Sequence, residues 1–132
     1  MMRKGPLWDV IEGRAAAPPA AALLGWELVS VDPDAGTIEV AFTASDQFLN
    51  PVGVIQGGFL TAMLDDTLGP ALVATLGPDR FALTTDLHVQ FLRPARPGRP
   101  RYCGSSPESA RAAFAVVWPR SAASNWVRIP HR

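Results

Sequence analysis

The residues with chemistry to offer crowd into one stretch, Asn50-Pro51-Val52-Gly53-Val54-Ile55-Gln56-Gly57-Gly58-Phe59-Leu60-Thr61-Ala62-Met63-Leu64-Asp65-Asp66. A glycine pair opens a helical pattern there, and two carboxylates follow inside it. The first turn of a helix has N–H groups without intrahelical acceptors and carries about half a positive charge. With no side chains at Gly57 and Gly58, a carbonyl oxygen can come close to those N–H groups, which makes the pair a candidate oxyanion site. The same pair equally suits a tight turn or close packing against a sheet. Asp65 and Asp66 interrupt an apolar stripe. An unpaired charge is costly among apolar side chains, so at least one of them must meet solvent, a partner or a cleft. They stand about 100° apart around a helix and cannot share one surface. Residue chemistry alone does not choose between them.

These groups need a helix and a frame to hold it. Phe59, Leu60, Met63, Leu64, Thr67, Leu68, Ala71 and Leu72 recur at the helical period, the strongest periodic signal in the chain. Pro70 lies inside that pattern, where it removes one backbone bond and crowds the carbonyl of Asp66, so a kink is expected after the third turn. Gly77-Pro78 is the expected end. Ahead of it, Pro18 and Pro19 open a short helix, Ala20 to Leu24, that Gly25 stops, and residues 1–25 read as an N-terminal arm. Trp26 to Val31 and Thr37 to Thr43 flank the turn Asp32-Pro33-Asp34-Ala35-Gly36 as a hairpin, with Ile38, Val40 and Phe42 on one face. Residues 44–56 have loop composition. Phe81 to Phe91 alternates as a strand, with Leu83, Thr85, Leu87, Val89 and Phe91 on one side and His88 among the residues on the other. One long helix among antiparallel strands is an α+β arrangement, since a doubly wound sheet would need repeated strand and helix alternation.

The chain's 132 residues suit one domain, 1–132, and its 48% hydrophobic and 18% charged composition supplies enough apolar surface to offset the entropy of folding. No run of eighteen apolar residues exists, so no membrane partner is expected, and Asp9, Glu12 and Arg14 break any signal-like segment. One cysteine, Cys103, and two histidines argue against a disulfide, a metal site or a cofactor held by such groups, and point to the cytoplasm. Charge is divided. Residues 1–92 hold four basic and eleven acidic side chains, whereas 93–132 hold eight arginines and one acid, Glu108. Residues 99–132 form an atypical basic segment in which Ala113 to Trp118 and Asn125 to Ile129 are candidate final strands with poor alternation.

The Asn50 to Asp65 stretch resembles the signature of hot-dog-fold acyl-CoA thioesterases of the phenylacetic-acid-pathway (PaaI-like) type. In that family an Asn precedes a His-Gly-Gly by six residues and an acid follows nine after the His. Here the spacing gives Asn50, Gln56-Gly57-Gly58 and Asp65. Thr84-Thr85-Asp86-Leu87-His88-Val89-Gln90-Phe91-Leu92-Arg93-Pro94 is similar to the family's following strand, and Leu24-Gly25-Trp26 and the hairpin extend the likeness to roughly residues 18–98. The resemblance implies an antiparallel sheet wrapped around one long helix. It also implies a homodimer or dimer of dimers with sites between subunits, and an acyl-CoA partner without cofactor or nucleic acid. By carry-over, Gly58 polarises the thioester carbonyl and Asp65 of the facing subunit attacks it or activates water. Asn50 orients water or carbonyl, and Thr84 faces the acid. Gly57, Arg93 and Arg96 then fall to substrate and coenzyme A.

Two departures stand out. The family's His is Gln56, an amide that donates hydrogen bonds but does not titrate near neutral pH. The expectation is a loop-holding or ligand-contacting role, with activity on a small aryl- or medium-chain acyl-CoA. A non-catalytic acyl-CoA-binding protein is the alternative. Relatives also end in two long strands joined by an Asp- and Gly-rich turn, which the basic segment lacks. That segment reads either as a surface for coenzyme A phosphates or as a tail translated out of frame after residue 98.

Overall fold

The computed structural model describes residues 3–105 and 114–118. Two short helices, α1 (Pro6–Ile11) and α2 (Pro19–Leu24), precede the strands β1 (Glu27–Asp32) and β2 (Thr37–Ala41). A 3-10 turn (Asp46–Phe48), the long helix α3 (Gly57–Val73) and the strands β3 (Arg101–Ser105) and β4 (Phe114–Trp118) follow. The strands form one antiparallel sheet in the order β1-β2-β3-β4, and α3 packs on β2, β3 and β4. The α+β expectation holds.

The hairpin turns where expected. Asp32 Oδ1 accepts from the backbone N–H groups of Asp34 and Ala35, each at 3.1 Å, so the side chain folds the turn itself. The β1–β2 register slips between Leu28 and Ser30. That irregularity puts Leu28 and Val31, three residues apart, against the same core, which a regular strand of period two does not allow. On β2, Ile38, Val40 and Phe42 are buried as expected. They meet Leu60, Met63, Leu64, Leu68 and Ala71 of α3. Thr67 is fully buried among them because its hydroxyl donates to the Met63 carbonyl at 2.8 Å, which satisfies it inside the helix.

The helix does not break at Pro70. It is continuous from Gly57 to Val73 and ends ahead of Gly77 and Pro78. Proline has no N–H to give the Asp66 carbonyl four residues back, and the indole Nε1 of Trp26 donates to that oxygen at 2.9 Å instead. Trp26 is aimed by the end of α2. Gly25 takes a left-handed conformation (φ 68°), its N–H bonds the Ala22 carbonyl and the Trp26 N–H bonds the Ala21 carbonyl, a Schellman closure.

The expected strand from Phe81 to Phe91 is not one. Leu87 and Val89 do pack on the core while Asp86, His88 and Gln90 are exposed, so the alternation is real there. A strand also needs a hydrogen-bonded neighbour, and among the described residues none lies beside this segment; Phe81, Leu83, Phe91 and Leu92 are exposed. Beyond it, Ala44 and Gly98 form an isolated bridge, and β3 then pairs with β2 from Ala41 opposite Arg101 to Thr37 opposite Ser105. That strand was not legible in Arg101-Tyr102-Cys103-Gly104-Ser105, which has no apolar alternation. The expected strand over Ala113 to Trp118 is present as β4, whereas Asn125 to Ile129 lies outside the described residues. Helix α1 was also unforeseen; it buries Trp8, over which the Arg3 guanidinium stands 5.0 Å from the ring centre.

Gly25 tests this frame. A Cβ there would sit 2.5 Å from Thr43 Oγ1 and 2.8 Å from Thr43 Cβ, in a backbone conformation that costs other residues about 1–2 kcal/mol. Gly25→Ala should therefore lower unfolding free energy by roughly 2–4 kcal/mol, read from urea denaturation.

Candidate active site

The start of α3 is held by its approach. Asn50 Oδ1 accepts from the N–H groups of Val52 (3.1 Å) and Val54 (3.2 Å), and the Asn50 N–H donates to the Val54 carbonyl at 2.8 Å. Its side-chain oxygen thus ties residues 50–54 into a turn. The Ile55 N–H then bonds the Ala95 carbonyl and the Gln56 N–H bonds the Phe48 carbonyl, each at 2.8 Å, while the Phe48 ring stacks on Phe59 at 4.1 Å. The chain therefore reaches Gly57 in one direction only.

At Gln56 the backbone is extended and its side chain is exposed, with no capping bond to the helix. Its carbonyl accepts from Phe59 and Leu60, whereas the N–H groups of Gly57 and Gly58 have no acceptor among the described residues. The two glycines differ. A Cβ on Gly57 would lie 3.0 Å from Phe91 Cζ, so the missing side chain lets that ring lie against the helix start. Gly58 is exposed with nothing within 4 Å of the Cβ position, so its N–H stands where the helix charge is greatest and a ligand has room. Phe91, read from sequence only as a strand residue, is thus part of the site's wall.

Two turns along, Asp65 is half-buried and its Oδ1 accepts from Thr84 Oγ1 at 2.5 Å. The structure brings these two expected residues together across nineteen positions of chain, and the bond ties the 81–92 segment to the helix. It does not bring Asp65 to Gly58. Seven residues of α-helix separate them by about 10 Å along the axis. Arg93 and Arg96 are exposed without an ion-pair partner among the described residues; they flank Ala95, whose carbonyl holds Ile55 two residues before the helix. Arg99, by contrast, is paired with Glu27.

Asp66 differs from its neighbour. Its carboxyl is pushed up from the ordinary 3.8 to about 6, first by burial and then by the charge of Asp65, and its Oδ2 is buried with no hydrogen-bond partner among the described residues. Below pH 3.8 the group is neutral folded or unfolded and contributes nothing. As pH rises to 6 the unfolded chain ionises first, and above 6 the folded chain must carry a charge it disfavours, so stability falls through that window. Asp66→Asn should raise stability at pH 7.5 by about 1 kcal/mol, allowing for solvent screening of a partly exposed carboxyl, and by nothing at pH 3.5; thermal unfolding at the two pH values checks this.

Comparisons with known proteins identify the family. Residues 52–117 match the family model of the Thioesterase superfamily. The phenylacetic acid degradation-related protein of Ralstonia eutropha JMP134 is similar to the chain at 34% identity, with a TM-score of 0.82, covering 88% of this chain and 90% of its own. Similar folds at lower identity are the PaaI protein of the E. coli phenylacetic acid degradation operon (19%, TM-score 0.73, covering 89% and 85%) and a Streptococcus mutans protein bound to acetyl CoA (19%, TM-score 0.64, covering 75% and 79%). Among curated proteins, none matches. The family match runs past the change of composition at residue 98, and β3 and β4 lie beyond it in the sheet. With a family model matched over half of the chain and a 34% identical structure covered almost end to end, the chain belongs to the thioesterase superfamily, as a hot-dog protein of the PaaI-like type.

Proposed function

We propose that the protein hydrolyses a small aryl- or medium-chain acyl-CoA thioester to the free acid and coenzyme A. The observation that carries this reading is the pairing of an exposed Gly58, whose N–H has no acceptor among the described residues, with an acid, Asp65, held by Thr84 two turns further on. The carbon and oxygen of one carbonyl lie a single bond, about 1.2 Å, apart, whereas about 10 Å of helix separates the two groups in one chain. The reading therefore joins Gly58 of one subunit to Asp65 of a second, in a homodimer or a dimer of dimers. The exposed Phe81, Leu83, Phe91 and Leu92 offer an apolar surface for such a subunit to cover.

In this scheme the Gly58 N–H, aided by the helix dipole, receives the charge that develops on the carbonyl oxygen; one such donor is commonly worth about 2.7–4 kcal/mol in the transition state. Asp65 either takes a proton from the water that attacks the carbonyl carbon, or attacks that carbon itself to give a mixed anhydride that water then hydrolyses to the free acid and the Asp65 carboxylate. On either route the carbon–sulfur bond breaks, and coenzyme A leaves as a thiolate that takes up a proton. Thr84 donates to one carboxylate oxygen and so fixes the direction of the other. Asn50 acts by holding the turn before the helix, with its amide nitrogen left for water or carbonyl. Gln56, exposed beside the glycines, donates to ligand where relatives use His. Arg93 and Arg96 offer charge to the coenzyme A phosphates, a ligand class in keeping with the acetyl CoA on the Streptococcus mutans relative. No helix among the described residues is long and apolar enough to cross a membrane, and the single cysteine is in keeping with a cytoplasmic setting.

Gln56 favours a second reading, a protein that binds acyl-CoA without hydrolysing it. A panel of acyl-CoA thioesters scored for free thiol separates the two, because a binder saturates with ligand and releases none. On a responsive substrate Asp65→Asn should cut turnover by at least about 10²-fold with its unfolding midpoint kept, and Thr84→Val by about tenfold. Unchanged turnover in Asp65→Asn would refute the assignment. Sedimentation should find a dimer or tetramer, and a monomer that turns over at full rate would refute the shared site.

A further inference from the structure

Pro70 creates a requirement that the rest of the helix does not have. In α3 the carbonyl of residue 66 is due a bond from the N–H of residue 70, and proline has none. A carbonyl left without a donor in a partly buried place costs about 1–3 kcal/mol and lets the helix bend there. Trp26 Nε1 meets that need at 2.9 Å, and Trp26 is itself half-buried against the core. Its aim depends on three backbone features: the left-handed Gly25, the Trp26 N–H bonded to the Ala21 carbonyl at 2.9 Å, and the Thr43 N–H bonded to the Leu24 carbonyl at 2.9 Å. The clamped carbonyl belongs to the residue after Asp65, whose carboxylate must stay on Thr84 Oγ1.

We infer that Trp26 is a positioning residue for Asp65: it replaces the hydrogen bond that Pro70 removes from α3 and thereby fixes the helix at the height where the carboxylate meets Thr84. This rests on the hydrolase reading for its catalytic consequence, but the clamp itself does not. It also gives α2 a purpose, since that six-residue helix contributes the Schellman closure that points the indole at α3.

The test is one of rescue. Trp26→Phe keeps an aromatic ring and deletes the donor, and Pro70→Ala restores a backbone N–H to the same carbonyl from within the helix. Each single variant and the double variant are followed by thiol release and by amide hydrogen exchange across α3. Trp26→Phe should lower kcat about tenfold with KM within about twofold, because small errors in placing a reacting group are costly, and should speed exchange around residues 66–73. Pro70→Ala alone should stay within about twofold of the parent, and the double variant should return both readouts to within about threefold of it. A double variant as impaired as Trp26→Phe means the carbonyl is not what Trp26 serves, and the inference fails. Exchange that rises and is rescued while kcat never moves means that Trp26 is structural only, and the positioning role fails. A parent chain that releases no thiol from any acyl-CoA overturns the hydrolase reading instead. Exchange then decides the clamp, which falls if Trp26→Phe leaves α3 exchange unchanged.

Discussion

The bond from the Trp26 indole to the Asp66 carbonyl joins the parts of this molecule that the site needs together. A helix that carries two acids and a proline within six residues has reason to bend or end there, because the acids disfavour burial and the proline removes a backbone donor. It does neither. Its buried face, from Leu60 to Ala71, is held against Ile38, Val40 and Phe42 of the sheet, and the one carbonyl that Pro70 strands is supplied from outside. The N-terminal arm, the hairpin and the helix meet at that oxygen, next to the candidate acid.

The glycine end of the helix is organised by different means. Asn50 folds its own turn, Ile55 and Gln56 are bonded to the chain on both sides, and Phe91 lies against Gly57. These contacts leave Gly58 exposed at the positive end of the helix, its N–H without an acceptor among the described residues. The two ends are therefore separate devices about two turns apart, one suited to receive negative charge and one to supply it. In the proposed reaction it is this spacing that draws the two devices from two copies of the chain.

The division of charge along the sequence has a partial counterpart in space. Arg99, from the basic side of the boundary, is paired with Glu27 on β1, and Arg93 and Arg96 flank the residue that holds the approach to α3. The arginines nearest the boundary thus lie against the acidic part of the fold or beside the candidate site. The strands β3 and β4 and the family match to residue 117 both lie beyond the change in composition at residue 98.

Much of this was written in local sequence. The helical period from Phe59 to Leu72, the Asp- and Gly-rich hairpin turn, the stop at Gly25 and the Asn50, Gly57-Gly58 and Asp65 spacing are short-range features, and short-range sterics and hydrogen bonding decide them. Other features depended on partners far along the chain. Whether residues 81–91 form a strand is decided by a neighbour to pair with and not by their alternation, which is real at Leu87 and Val89. That Arg101–Ser105 is a strand follows from its register with β2 and not from its own residues. Pro70 announced a stranded carbonyl at Asp66; only the fold, by bringing Trp26 forty residues across to α3, had a donor to offer it. Spacing likewise determined that two carboxylates sit side by side, while burial, which exists only in three dimensions, made one of them a hydrogen-bonded partner of Thr84 and the other a group that holds its proton up to about pH 6.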